Sequence, residues 1–178
     1  MAEKLLAELK ARCLDPEAVR RRLRATAAHE RTMRQVDTYF AVARGRLKLR
    51  EVTGSPAELI QYDRPDTADV KSSRVRLLAL PDGVAARALL EAALAVRVRV
   101  TKVREIWRWE GVQVHLDEVE GLGTFVEFEE TVGAEADLGR ARGHVAGLLA
   151  RLGVAPSALC ATSYADMLAP PASTQGVH

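Results

Sequence analysis

The sequence predicts an α+β fold: a closed barrel of about eight antiparallel strands, with a polar tunnel inside and helices packed outside. Three observations predict it. In the stretch Gly45-Arg46-Leu47-Lys48-Leu49-Arg50-Glu51, cations alternate with leucines. A strand sends every second side chain to one face, so Arg46, Lys48 and Arg50 share a face and Leu47 and Leu49 take the other. The same alternation recurs in Glu8/Lys10, Lys102/Arg104, His115/Asp117 and Glu127/Glu129, each around apolar residues. Finally, cationic and acidic pairs fall on different strands. That grouping has no use on faces open to water, whereas a closed sheet can gather such faces around one small ligand.

The elements follow in order. Residues 4–12 read as a first strand. Asp15-Pro16 starts a helix running to about residue 28, with Asp15 as N-cap and Pro16 at the first helical position. Its arginines, Arg20, Arg21, Arg22 and Arg24, read as a solvated face. Residues 31–42 form a second strand, joined by a tight turn to the central cationic strand. Gly54-Ser55-Pro56 turns the chain into a strand at 58–64, which Pro65 ends. Residues 70–80 are a further strand with Arg74 and Arg76 on one face. Pro81-Asp82-Gly83 breaks the pattern, and 84–96 reads as a helix. The long strand at 98–109 shifts its charge parity, so Lys102 and Arg104 are assigned to the tunnel and Arg97 and Arg99 are not. Glu110-Gly111 makes a hairpin to a strand at 112–119, and 124–131 is the last strand. Helices are expected at 134–152 and 156–168. The whole forms one domain over 1–169, with 170–178 as a disordered tail.

The chain has 178 residues, 48% of them hydrophobic, enough for one domain with a real core. Its net charge of +2 and its 4% aromatic content argue against a general nucleic-acid binder or a base-stacking platform. Two cysteines, Cys13 and Cys160, lack metal-type spacing and suit a reduced, cytoplasmic setting. No stretch has the length and apolarity of a signal peptide or a membrane span, so no membrane partner is expected.

Arg46, Lys48, Arg50, Lys102 and Arg104 are suited to a polyanion, and a triphosphate carries enough charge for several of them. Glu8, Asp117, Glu127 and Glu129 offer hard oxygen ligands, and phosphate substrates commonly bring Mg2+ or Mn2+. The competing interpretation is a set of cross-strand salt bridges without a ligand, which is favoured pair by pair but not for the set. The four histidines, His29, His115, His144 and His178, are not spaced as a metal site. His115 shares a face with Asp117, which leaves open an approach to substrate or a structural role. Gly121-Leu122-Gly123 is too short for a phosphate loop, and Trp107 and Trp109 read as core under a helix.

These residues resemble the CYTH superfamily of triphosphate tunnel metalloenzymes, and most closely its class IV adenylate cyclase branch. Glu8-Leu9-Lys10-Ala11 is similar to the amino-terminal acidic signature. Residues 35–40, Gly45 to Glu51 and Tyr62-Asp63-Arg64-Pro65 are similar to the strands that follow, and Lys102-Val103-Arg104 matches a basic pair. His115-Leu116-Asp117-Glu118-Val119, followed by Gly121-Leu122-Gly123-Thr124-Phe125-Val126-Glu127-Phe128-Glu129, is the most specific match, and Ser163 to Leu168 resembles the closing helix. The resemblance implies an eight-stranded tunnel that binds a triphosphate with a divalent metal. It implies Lys10, Arg46, Lys48, Arg50, Arg64, Lys102 and Arg104 as phosphate ligands, with Lys71 a further addition. Glu8, Asp117, Glu127 and Glu129 are implied as metal ligands. The implied activity is conversion of ATP to cyclic AMP and pyrophosphate. The alternative is hydrolysis of a thiamine, nucleoside or inorganic triphosphate; a third is non-catalytic binding of triphosphate or polyphosphate. One departure motivates the third: the first glutamate of the signature falls on Leu6. Homodimerisation is left open.

Overall fold

The computed structural model describes residues 1–63 and 70–169. Eight strands carry the fold: β1 (Ala2–Arg12), β2 (Ala28–Phe40), β3 (Arg46–Val52), β4 (Ala57–Asp63), β5 (Lys71–Leu80), β6 (Val96–Trp109), β7 (Val112–Val119) and β8 (Gly123–Val132). They close into an antiparallel barrel in the order β1-β5-β4-β3-β2-β6-β7-β8, with β8 pairing back to β1. The predicted barrel is therefore present. Arg64 and the tail at 170–178 lie outside the described residues.

The helices cover the barrel because alternation leaves its outer face apolar. α1 (Pro16–Thr26) starts where the Asp15 carboxylate accepts a hydrogen bond from the Ala18 amide at 2.9 Å. It buries Val19 and Leu23. α3 (Leu138–Leu152) buries Val145, Leu148 and Leu152 in the same cluster, against Val114, Leu116, Val126 and Phe128 of the sheet. Trp107 and Trp109 sit in this core, as their parity predicts. Each fully buried large apolar side chain there is worth about 1.5–3 kcal/mol. α2 (Gly83–Ala93) lies over a smaller cluster, with Ala86 and Leu90 against Phe40, Leu49 and Ala57.

The strand that organises the site depends on its first turn. Gly45 has φ +62°, and a Cβ there would lie 2.8 Å from the Tyr62 carbonyl oxygen and 2.7 Å from the Gln61 side chain. Only glycine fits both the left-handed backbone and this close approach to β4.

Three expectations are corrected. The helix expected at 156–168 is not continuous. Pro156–Ala158 makes one 3-10 turn, Leu159 bridges to Ala11, and the Cys160 amide donates to the Lys10 carbonyl at 2.9 Å. The chain is thus held against β1 before Ser163 caps a five-residue helix, α4 (Tyr164–Leu168), through a capping box with Asp166. Backbone pairing to β1 overrides the helical pattern. Second, the α1 arginines are not all solvated. Arg20 donates to Glu105 at 2.6 Å across to β6, and Arg22 reaches the Leu152 carbonyl. Third, β2 begins at Ala28 rather than 31, because its partner β6 extends the ladder to Arg108 with a register shift between His29 and Arg31.

Candidate active site

The tunnel encloses a cavity of about 560 Å³, within the range of small-molecule pockets. One side of it is ionic. On β3, Lys48 and Arg50 point inward and stand opposite Tyr39 and Asp37 of β2. Lys48 Nζ donates to Asp37 Oδ2 at 2.8 Å, Arg50 Nε to Asp37 Oδ1 at 3.0 Å, and Gln35 Nε2 to the same Oδ1 at 3.1 Å. Asp37 is 2% exposed. Burial alone would raise its carboxyl, but the charges of Arg50, Lys48 and Lys102 outweigh burial and hold it well below the usual carboxylate range.

A second cluster spans β6 and β7. Arg104 grips Asp117 through two donors, each at 2.6 Å, and also donates to Glu127 on β8. Lys102 Nζ and the Tyr164 hydroxyl donate to Asp117 Oδ2, both at 3.0 Å. Tyr164 comes from α4 and lines the cavity. Lys10 Nζ is 3.0 Å from Glu127 Oε1 and 3.7 Å from the centre of the Tyr164 ring. Burial would raise Asp117, but Arg104 and Lys102 pull it well down. Glu127 is likewise held low by Lys10 and Arg104 against its burial. Lys102 moves the other way: burial, then repulsion from Arg104, pushes it down to about 8.

A third group stands beside these. His115, Glu127 and Glu129 offer ligand atoms all within 4.8 Å of one another. His115 Nδ1 is 3.7 Å from both Glu127 Oε2 and Glu129 Oε1, and Glu8 of β1 stands opposite Glu129. Two carboxylates and an imidazole nitrogen make a donor set that fits a divalent cation.

The remaining wall is mostly apolar, with Glu58 and Tyr62 of β4 as its polar members. β4 and β5 are neighbours, and they face the tunnel with Ile60, Val75, Leu77 and Ala79. Leu6 of β1 and Val52 of β3 extend this wall on either side.

The CYTH domain matches residues 6–159, most of the chain. The chain belongs to the CYTH domain family. Solved structures of similar fold include a protein of Pyrococcus horikoshii (19% identity, covering 90% of this chain and 98% of that one, TM-score 0.81). A candidate adenylate cyclase of Vibrio parahaemolyticus is also similar (21% identity, covering 93% and 98%, TM-score 0.75). So is a Hippeastrum protein named as an adenylyl cyclase candidate with a dominant triphosphatase activity (19% identity, covering 85% and 88%, TM-score 0.63). At these identities the likeness is one of fold. None of the curated proteins matches the chain.

In this CYTH barrel the expected residues are distributed unevenly. Lys10, Lys48, Arg50, Lys102, Arg104, Glu8, Glu127 and Glu129 face the tunnel. Asp117 is fully buried among its three donors and is not in the group of His115, Glu127 and Glu129. Arg46 lies toward the α4 end, 3.2 Å from Asp166. Lys71 opens β5 opposite Glu8. Arg97 and Arg99 lie outside, bonded to Asp166 and Glu91. Gln35, Asp37 and Tyr39 were not expected in the site. Their alternation was readable, but an amide, an acid and a phenol share no charge sign. Tyr164 lies in the segment that resembles the closing helix, but its place in the tunnel depends on how α4 packs against the barrel.

Proposed function

We propose that the protein is a metal-dependent enzyme acting on an organic triphosphate, with adenylate cyclase-like conversion of ATP as the leading reaction. The observation that carries this reading is the division of the tunnel. Lys10, Lys48, Arg50, Lys102 and Arg104 line the tunnel from β1, β3 and β6, while β4 and β5 present Ile60, Val75, Leu77 and Ala79 beside Glu58 and Tyr62. An inorganic triphosphate gains nothing from the β4–β5 wall, whereas a nucleoside or comparable organic group can bury against it.

In this reading Asp37 and Asp117 fix the cations in place. A guanidinium has five N–H donors and an ammonium three, so donors remain for phosphate oxygens after the acids are served. Glu127 and Glu129, with Glu8 opposite, would hold Mg2+ or Mn2+. The bound ion would neutralise charge on the phosphate oxygens. For cyclisation, a ribose hydroxyl oxygen bonds to the α-phosphorus, the bond from that phosphorus to the bridging oxygen breaks, pyrophosphate leaves, and the hydroxyl proton passes to solvent water. Held low by their cations, Asp37, Asp117 and Glu127 are weak bases. They orient the cations rather than take the hydroxyl proton. The apolar wall orients the organic group and excludes water.

Incubation with ATP and Mn2+, with products identified by chromatography, tests this. Cyclic AMP with pyrophosphate is the expected result. ADP with phosphate would replace cyclisation by attack of water on the terminal phosphorus in the same tunnel. Nucleotide binding without turnover of any triphosphate would leave only a binder.

A further inference from the structure

The donor group on β7 and β8 contains one atom that the ionic clusters do not use. His115 is 2% exposed, and its Nδ1 has no hydrogen-bond partner among the described residues. Its other nitrogen is engaged: Nε2 lies 3.2 Å from Gln113 Oε1. In the neutral tautomer whose Nε2–H donates to that amide oxygen, Nδ1 carries a lone pair. That lone pair faces two carboxylates, each 3.7 Å away. A lone pair buried against two anions is unfavourable unless a positive charge lies between them, either a proton on Nδ1 or a metal ion.

The spacing suits a metal ion. Two ligand atoms each about 2.1 Å from one ion are at most about 4.2 Å apart; both His115 contacts at 3.7 Å lie inside that limit, and the full group, within 4.8 Å, closes on an ion with a small side-chain adjustment. Strand register supplies the arrangement, because His115 pairs with Glu127 and Gln113 with Glu129 across the β7–β8 ladder. Gln113 then plays the part that a carbonyl commonly plays behind a metal-bound imidazole, fixing the ring and its tautomer. Glu127 also serves Lys10 and Arg104, but a carboxylate has about four lone-pair sites and retains some for an ion. Leu6 lines the same tunnel and contributes no ligand.

We infer that His115 is a nitrogen ligand of the tunnel's metal and that, with Glu127 and Glu129, it makes the site selective for transition cations over Mg2+. The inference rests on the metal-dependent reading above and adds the identity of a ligand and the class of ion. Magnesium prefers an all-oxygen octahedron, whereas imidazole suits Co2+, Zn2+ and, more weakly, Mn2+.

The test uses the full chain, stripped of metal by a chelator. Co2+ binding is followed by its visible spectrum, Mg2+ binding by calorimetry, and the Mn2+ complex by pulsed paramagnetic resonance, which detects a directly bonded imidazole nitrogen. The expected results are Co2+ bound at least tenfold more tightly than Mg2+, and a nitrogen coupling in the Mn2+ complex. In His115→Ala the coupling should vanish and the Co2+ preference should collapse, with Mg2+ affinity nearly unchanged. A Mn2+ complex without nitrogen coupling, in a protein whose Glu129→Gln variant loses the ion, would overturn the role of His115 while leaving the carboxylate site standing. If the parent binds no divalent ion at all, both the inference and the metal-dependent reading fall. The nitrogen signal is read on the unmutated protein, so a poorly folded His115→Ala variant would not remove the test.

Discussion

At the scale of the residue, Asp37 separates holding a cation from binding a ligand. It is buried with Lys48 and Arg50 on its two oxygens. Removing one partner of a buried pair leaves an uncompensated charge, so Asp37→Ala should destabilise the free protein by about 3–5 kcal/mol. Added triphosphate should restore more stability to this variant than to the parent, because the ligand replaces the lost anion. Thermal melts with and without tripolyphosphate check both parts. Arg50→Ala leaves Asp37 still paired with Lys48, so its cost in stability should be smaller. It removes one charge-assisted contact, so triphosphate binding should weaken by about 1.5–3 kcal/mol while the fold survives; equal affinity by calorimetry would place Arg50 away from the ligand. Lys102 predicts a pH effect. Its value falls from an ordinary 10.5 to about 8. Between those values the unfolded chain holds a proton that the folded chain has lost, so this group's contribution makes stability rise with pH across that window. A bound polyanion favours the charged amine, so triphosphate binding near pH 8–9 should take up protons. Calorimetry in buffers of different ionisation heat measures that uptake, and no uptake would mean that the phosphates lie elsewhere.

At the scale of the element, the strands were more legible than the helices, for a physical reason. Period-two alternation survives in β3 because Leu47 and Leu49 pack under α2 while Lys48 and Arg50 face the tunnel. In β6 the shift in parity told Lys102 and Arg104 apart from Arg97 and Arg99. The segment after Pro156 was not legible, because its path is set by backbone bonds to β1 that no local pattern announces. The same holds for His115. Its face was readable, but its unpartnered Nδ1 and its distance to Glu129 depend on the β7–β8 register. β8 yields a direct prediction: Glu129→Gln should abolish metal-dependent turnover, since the amide keeps the size and loses the charge. Loss of stability with turnover intact would make Glu129 a neutralising group only. On β1, Leu6 faces the tunnel opposite Thr131 of β8. Leu6→Glu should therefore tighten metal binding severalfold by calorimetry, and unchanged affinity in a folded variant would place the ion away from β1.

At the scale of the whole molecule, closure makes the site. Eight strands bring together side chains far apart in sequence: Lys10 meets Glu127, and Arg104 meets Asp117 and Glu127, only because β8 returns to β1 and β7 lies between β6 and β8. Sequence alternation gave the faces, but not which strands adjoin, so the apolar β4–β5 wall became visible only with the strand order. That wall, with the cations that β1, β3 and β6 bring to the same tunnel, underlies the proposal that an organic triphosphate lies against both. The most direct measurement is a crystal structure of the protein with Mn2+ and an ATP analogue whose α,β-bridging oxygen is replaced by methylene. Phosphates are expected within hydrogen-bonding distance of Arg50, Lys102 and Arg104, the ion on Glu127 and Glu129, and the base against Ile60, Val75 and Leu77. A nucleotide bound outside the barrel, or phosphates in the tunnel with the base out in solvent and no contact to β4 or β5, would contradict the proposal.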